Sequence, residues 1–173
     1  MAIASLSNRP AALRFAGMAL LGSWLLAASA QVTLPMWPVP ATMQSLVVLL
    51  LGALGGPATG VAAVAAYLAQ GAAGLPVFAG GTGGLAVLMG PTAGYLLGFA
   101  LAAWLAGYAR GLGAWRQAAV LLAAHLLLFV PGVAWLAGYV GLARAFEAGF
   151  LLFIPGTLVK TALALALMRA LRR

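Results

Sequence analysis

Six stretches of mainly apolar residues, separated by short segments rich in proline, glycine or arginine, organise the chain. Their lengths are typical of helices that cross a bilayer alone or with help from flanking residues, since a full span takes about 20 residues. The fifth is predicted to continue past Pro131-Gly132 through Trp135 with a kink, and the sixth to be interrupted at Pro155-Gly156. The pattern predicts an all-α, polytopic transmembrane bundle of six helices, with one domain over residues 1–173. The predicted helices are residues 11–30, 43–54, 58–73, 91–108, 117–130 and 150–171.

Two connecting segments are apolar yet unsuited to regular helix. Residues 31–44 contain Pro35, Pro38 and Pro40, which predict an extracytoplasmic loop or a re-entrant turn. Residues 74–90 contain six glycines and join the third predicted helix to the fourth on the outer side. Irregular backbone at membrane depth is tolerated only where it is buried in protein or lines a cavity. We therefore predict that this Gly-rich outer loop folds over a cavity, where residues such as Gly80 allow close approach to a ligand.

The composition excludes a soluble fold, because 65% of the residues are hydrophobic and only 6% are charged, against roughly 25% charged in an average soluble domain. Nine Lys or Arg residues oppose one acid, a balance that would otherwise suggest nucleic acid as a partner. Seven of these basic residues form three clusters that all face the cytoplasm if the N-terminus does, as the positive-inside rule requires. We predict cytoplasmic N- and C-termini, a bacterial inner membrane and no nucleic-acid partner. The clusters are Arg9 with Arg14, Arg110 with Arg116, and Arg169 with Arg172 and Arg173.

The first predicted helix carries a ridge of small residues that includes Ala12, Ala16, Ala19 and Ser23. Such ridges let helices in lipid pack closely, so this face is predicted to pack on another helix of the chain or on a partner subunit. The apolar run and the triplet at residues 28–30 also resemble a signal peptide. Cleavage would place the remaining basic loops on inconsistent sides, so we expect the segment to be retained.

Lys160 is the most informative residue of the chain. It precedes Arg169 by about 13 Å of helical rise, which predicts a position near the middle of the bilayer. A charged side chain there costs at least about 2.5–3.5 kcal/mol on insertion scales. The chain has no Asp, and its single acid, Glu147, is predicted to lie outside. We therefore expect carbonyls of the broken sixth helix, or a bound ligand, to solvate Lys160; the alternative is a lysine that snorkels or stays uncharged.

The remaining residue types argue against catalysis. The one histidine, His125, has no second histidine, cysteine or acid with which to form a metal site or a triad, and is predicted to be a hydrogen-bonded core residue. A single acid excludes paired carboxylates, and Val159 stands where a P-loop requires glycine. We expect no enzyme activity, no metal and no cofactor.

Polar side chains suited to lining a cavity gather in the outer half of the predicted bundle. Tyr67 and Gln70 share one helix face, because they follow the i, i+3 spacing. Such a pocket suits a small ligand with an apolar body and a few hydrogen-bonding atoms. The alternative for each residue is a contact between helices. The set comprises Thr42, Gln44, Tyr67, Gln70, Thr92 and Tyr95.

Four stretches, in this order, resemble the BioY family of biotin-specific substrate-binding components of energy-coupling-factor transporters. With the spacing between them they cover nearly the whole chain. They are Pro38-Val39-Pro40-Ala41-Thr42-Met43-Gln44, Gly74-Leu75-Pro76-Val77-Phe78-Ala79-Gly80-Gly81, Gly90-Pro91-Thr92-Ala93-Gly94-Tyr95-Leu96-Leu97-Gly98-Phe99 and Ile154-Pro155-Gly156-Thr157-Leu158-Val159-Lys160.

The resemblance implies a six-helix bundle that holds biotin near its outer face. The lysine of the family's Gly-Asp-x-x-Lys pattern falls on Lys160, whereas its aspartate falls on Thr157, which offers a hydroxyl in place of a carboxylate. Lys160 is then expected to meet either the biotin carboxylate or the ureido carbonyl. With the polar set above, the predicted substrate-binding residues are Lys160, Thr157, Gln44, Thr42, Tyr67, Phe78, Gly80, Thr92 and Tyr95.

The resemblance also implies partners, namely a transmembrane coupling protein and two ATPase subunits, although some family members are thought to work without them. We therefore predict high-affinity capture of biotin, with uptake powered by that module or achieved alone. Two other interpretations stay open: a carrier of the same architecture for another small vitamin or carboxylate, and a structural protein of the membrane.

Overall fold

The structure is a computed structural model that describes residues 9–171. Most of these residues are helical, and the remaining regular structure is a short antiparallel hairpin that pairs Thr33 with Thr42 and Leu34 with Ala41. The helices are α1 (Arg9–Ala30), α2 (Gln44–Gly55), α3 (Pro57–Ala72), α4 (Leu85–Leu88), α5 (Ala93–Ala106), α6 (Ala114–Leu127), α7 (Phe129–Val140), α8 (Leu142–Gly149) and α9 (Ile154–Ala170). The strands are β1 (Thr33–Leu34) and β2 (Ala41–Thr42), and 3-10 turns lie at Ala79–Gly81, Gly107–Ala109 and Leu151–Phe153.

The helices have the length and composition of a membrane protein. Within residues 9–171, three helical stretches are long and apolar enough to cross a bilayer: Pro10–Ala30, Ala114–Val140 and Leu142–Ala170. Two shorter apolar stretches, Gln44–Gly55 and Ala93–Ala109, accompany them. The predicted mostly helical architecture is therefore confirmed, whereas the count of six crossings stays a prediction.

Proline chemistry explains how the fifth and sixth predicted helices divide. The fifth continues past Pro131-Gly132 through Trp135 with a break, as predicted, whereas the predicted interruption of the sixth at Pro155-Gly156 is wrong. The fifth divides at Leu128, about one turn before Pro131, because Pro131 has no N–H to donate to the carbonyl of Leu127. Pro155 does not interrupt the sixth helix; it lies in the first turn of α9, where its missing N–H costs nothing. The interruption is the 3-10 turn at residues 151–153, which separates α9 from α8, a helix that the apolar pattern did not predict.

The segment between α3 and α5, predicted as a Gly-rich loop, includes the short helix α4 and a 3-10 turn. Gly80 lies in that turn with φ of 72°, a left-handed conformation that glycine adopts without a steric cost. Phe78, just before it, is 1% exposed and lies so close to α3 that a Cβ at Gly71 would be 2.0 Å from its ring. The segment is therefore anchored against α3 by a buried aromatic side chain.

The connections at one end of the bundle bring the basic residues together, and we name this the basic end. Arg169, near the end of α9, donates to Oε1 of Gln117 at the start of α6, at 3.5 Å. Gly107, at the end of α5, packs against Pro57 in the turn between α2 and α3. Arg110 lies in the adjoining connection from α5 to α6, and Arg116 lies in the first turn of α6. Arg172 and Arg173 of the predicted third cluster lie outside the described residues.

The remaining connections meet at the opposite end, which we name the loop end. Gln31, just after α1, donates to the carbonyl of Phe78 at 3.1 Å. The indole of Trp135 on α7 donates to the carbonyl of Gly90 at 2.9 Å. The β1–β2 hairpin, the segment between α3 and α5 and the last turns of α7 therefore lie beside one another, where they cover the polar interior of the bundle.

The small-residue ridge of α1 divides into two parts. Ala19 and Ser23 are buried, and the Ser23 hydroxyl accepts a hydrogen bond from Gln70 of α3 at 3.0 Å. Ala12 and Ala16 are exposed. Half of the ridge thus packs within the chain, and the half nearer the basic end is exposed.

Candidate functional site

Lys160 is half-buried, and neutral oxygen atoms hold its ammonium. Nζ donates to the backbone carbonyl of Thr42 at 2.8 Å and to the hydroxyl of Ser45 at 3.2 Å. The carbonyl therefore comes from β2, and the expectation that the broken sixth helix supplies it is wrong. Among residues 9–171, no carboxylate lies within ion-pair distance of Nζ, and Glu147 is exposed on α8.

The ammonium lines a cavity of about 50 Å³ that lies between the hairpin segment and helices α2, α5, α6, α7 and α9. Thr157 lies one turn before Lys160 on the same face of α9 and is 2% exposed. Its hydroxyl makes no side-chain hydrogen bond to any of residues 9–171. The remaining walls are mainly apolar and aromatic. The full lining is Val39, Pro40, Thr42, Ser45, Tyr95, Phe99, His125, Leu128, Phe129, Phe153, Thr157 and Lys160.

A second cavity, of about 140 Å³, adjoins the first on the side of the loop end. Gln44, Thr92 and Phe78 line it, and it shares five residues with the first: Val39, Pro40, Thr42, Tyr95 and Phe99. The two cavities therefore form one site, which extends from the loops towards Lys160. Seven of the sequence-predicted residues line the two cavities, namely Lys160, Thr157, Thr42, Gln44, Phe78, Thr92 and Tyr95.

Gln44 is fixed by a closed set of hydrogen bonds. Its Nε2 donates to the hydroxyl of Tyr67 at 2.6 Å, and its Oε1 accepts from the hydroxyl of Thr42 at 3.2 Å. The Tyr67 ring meets Phe78 edge-on, with 5.4 Å between ring centroids. Tyr67 lines neither cavity and is fully buried behind Gln44, so its contacts support the wall of the site.

Of the two remaining predicted residues, Tyr95 lines the site and Gly80 does not. The Tyr95 ring lines both cavities, while its hydroxyl donates to the carbonyl of Gly149 at 2.9 Å and so ties α5 to the end of α8. Gly80 is exposed in the turn beyond Phe78 and lines neither cavity.

Sequence reasoning missed two residues of the site. His125 is 1% exposed and bonds through Nδ1 to the hydroxyl of Thr161 at 2.8 Å, so the prediction of a hydrogen-bonded core histidine is confirmed, yet it also lines the first cavity. Ser45 reaches Lys160 from the first turn of α2. Neither residue belongs to a local motif, and only the packing of α2, α6 and α9 brings them together.

These features define a helical membrane protein with an enclosed site that offers one ammonium, several hydroxyls and aromatic walls. Its fold is that of a solved membrane protein, "the S-component for biotin from an ECF-type ABC transporter", with a TM-score of 0.82 and 24% identity over 94% of this chain and 93% of that one. The chain belongs to the BioY family, whose family model matches residues 5–173. It is thus a multi-pass membrane protein of a family of transporter components, which are not enzymes.

Curated relatives span most of the chain. It is 38% identical over 148 residues to the "Probable biotin transporter BioY" of Pyrococcus horikoshii, covering 86% of this chain and 90% of the relative. It is 36% identical over 162 residues to the "Biotin transporter BioY" of Thermotoga maritima, covering 91% and 90%.

Proposed function

We propose that this protein is the membrane-embedded, high-affinity biotin-binding component of a biotin uptake transporter. The observation that carries the proposal is Lys160, an ammonium on a membrane helix that faces an enclosed cavity and has only neutral oxygen partners among the described residues. An ionisable group at such depth marks a functional site by default. Biotin is the ligand that the names of the relatives suggest.

The chemistry of biotin suits the lining of the two cavities. Its carboxylate or its ureido carbonyl accepts a hydrogen bond from Lys160. The unpartnered hydroxyl of Thr157 accepts from a ureido N–H, at roughly half the strength of a charged acceptor. The apolar ring and chain of biotin pack against aromatic side chains such as Tyr95, Phe99 and Phe129. Binding is reversible and involves no covalent step.

The proposed topology has six crossings: α1, α2, α3, α5, α6 with α7, and α9. The basic end then faces the cytoplasm of a bacterial inner membrane, as the positive-inside rule favours, and both termini lie on that side. The hydrogen bond between Arg169 and Gln117 supports this orientation, because it brings two of the three basic clusters to the same end of the bundle. The loop end and its cavities face outwards, where biotin arrives.

Energy for uptake comes from a transmembrane coupling protein with two ATPase subunits, or the protein works alone by the concentration difference. Ala12 and Ala16 remain exposed on α1 and offer the smooth surface that a partner helix in lipid requires. Ala19 and Ser23, the other half of the predicted docking ridge, are engaged within the chain.

Two measurements test the proposal. Calorimetry on the purified protein should give saturable, one-to-one binding of biotin, and cells that lack their own transporter should accumulate radiolabelled biotin when they express this chain. Uptake only with the coupling protein and ATPases present would assign the powered mode, and uptake without them the solitary mode. A ligand panel in which another small vitamin or carboxylate outcompetes biotin would reject biotin as the substrate, and absence of any saturable ligand would reject transport altogether.

A further inference from the structure

His125 presents an unpaired ring nitrogen to the cavity. The side chain is 1% exposed, it lines the first cavity, and its Nδ1 is bonded to Thr161. Nε2 has no hydrogen-bond partner among residues 9–171. It differs from Oε1 of Gln70, which is the one fully enclosed side-chain polar atom without a partner among those residues. Because the ring lines the cavity and Nδ1 is engaged by Thr161, Nε2 is the polar atom of His125 that remains for a partner there.

The hydrogen-bond network assigns the tautomer of His125. The hydroxyl of Thr161 has one proton, and Nδ1 of His125 is the only side-chain partner it has within the described chain. We assign this proton to the bond with Nδ1, which makes Nδ1 an acceptor and leaves the ring proton on Nε2. Nε2 is then a hydrogen-bond donor that faces the cavity. Thr161 fixes this orientation from the α9 turn that also carries Lys160.

The donors around this cavity are complementary to an acceptor. Lys160 contributes an ammonium, His125 an N–H and Thr157 an unpartnered hydroxyl. A donor left unpaired in a buried site is destabilising unless a ligand pairs with it. Phe129 and Phe153 also line this cavity, and apolar neighbours lower the local dielectric constant and so strengthen each hydrogen bond that forms there.

We propose that Nε2 of His125 donates a hydrogen bond to an oxygen of the bound substrate, beside Lys160, and that His125 is thus a further specificity-determining residue. This inference rests on the proposed function. A carboxylate and a ureido carbonyl both present such an oxygen. The size of the effect differs between them, because a bond to a neutral acceptor is worth about 3- to 10-fold in affinity and one to a charged acceptor about 10- to 150-fold.

Two matched substitutions separate contact with the ligand from support of the fold. The amide nitrogen of His125→Gln reaches the position of Nε2, so it keeps the donor in the cavity. The amide of His125→Asn reaches only the position of Nδ1, so it keeps the bond to Thr161 and removes the donor. By calorimetry we expect His125→Gln to bind biotin within about 3-fold of the wild type, and His125→Asn to lose affinity by the factors above. Thermal unfolding of each ligand-free variant in detergent checks the fold, and His125→Phe replaces His125→Asn if that variant unfolds.

Two biotin analogues identify the oxygen. Biotin amide removes the charge of the carboxylate, and the thiourea analogue replaces the ureido oxygen by sulfur, a weak acceptor. If the carboxylate is the acceptor, the ratio of Kd values between His125→Asn and the wild type should fall with biotin amide from the range of a charged acceptor to that of a neutral one, because the amide keeps one carbonyl oxygen. If the ureido carbonyl is the acceptor, the ratio should fall to near 1 with the thiourea analogue. In each case the ratio should persist with the other analogue. Equal ratios with biotin and both analogues, or wild-type affinity in His125→Asn and His125→Phe, would overturn the inference while leaving biotin binding by the wild type intact. A wild-type protein that binds none of the three ligands rejects the proposed function itself.

Discussion

Two polar clusters lie in the interior of the bundle, and their hydrogen bonds are organised differently. In the cluster around Gln44, the amide nitrogen bonds to Tyr67 and the amide oxygen to Thr42. In the cluster around Lys160, the hydroxyl of Thr157 and one ring nitrogen of His125 have no partner among residues 9–171. Every polar side-chain atom of the first cluster has a hydrogen-bond partner within it, whereas the second cluster leaves these two atoms available to an additional molecule.

This difference assigns different tasks to residues of the same chemical type. A buried network whose members are all paired rigidifies the surrounding structure, so the Gln44 cluster is expected to contribute mainly to stability. Buried groups that lack partners weaken the folded state and regain that free energy when a ligand pairs with them. The Lys160 cluster is therefore expected to contribute mainly to affinity, and the following substitutions test this division.

The largest effect on affinity is expected from Lys160→Ala. Loss of a hydrogen bond to a charged group should raise the Kd for biotin by about 10- to 150-fold, as measured by calorimetry, and thermal unfolding of the ligand-free variant in detergent checks the fold. Arg116→Ala is the matched control, because Arg116 is an exposed cation at the basic end that lies against Trp115, away from both cavities. Equal affinities for wild type and Lys160→Ala would remove Lys160 from the site.

Tyr67→Phe should give the opposite result. The substitution leaves Nε2 of the buried Gln44 without its partner, which should lower the free energy of unfolding by about 1–3 kcal/mol, while the Kd for biotin changes far less than in Lys160→Ala. Thermal unfolding in detergent and calorimetry on the same preparation provide both values. A large loss of affinity at unchanged stability would show that Tyr67 contacts the ligand, and the division between the clusters would fail.

A smaller effect is expected at Thr157, where two substitutions act in opposite directions. Thr157→Val keeps the shape of the side chain and removes the hydroxyl, so the Kd should rise by about 3- to 10-fold. Thr157→Asp supplies a charged acceptor beside Lys160 and should tighten binding by up to about 10-fold, since charged hydrogen bonds are roughly twice as strong. Calorimetric titration gives the Kd of both variants for biotin. Binding by Thr157→Asp that is unchanged or weaker would count against a ureido N–H at this position.

The helices were predictable because their signal is local. Apolar runs between Pro and Gly punctuation locate α1, α2, α3 and α5 to within about two residues of their structural bounds, an accuracy that sequence patterns reach at element ends. Breaks were harder to place, because a proline disrupts hydrogen bonding one turn earlier, as at Leu128, or is harmless in a first turn, as at Pro155. The helix α8 was missed because its mixed residues Arg144 and Glu147 interrupt the apolar pattern.

The amino-acid sequence was enough to predict the class of protein and the approximate helices, and it singled out Lys160, because an uncompensated cation in apolar sequence is conspicuous without any structure. The identity of the atoms around that cation became visible only in the folded chain. Ser45 precedes Lys160 by 115 residues, and His125 precedes Thr161 by 36. Contacts over such separations depend on how helices pack, and periodicity within a single helix carries no information about the side chains of its neighbours.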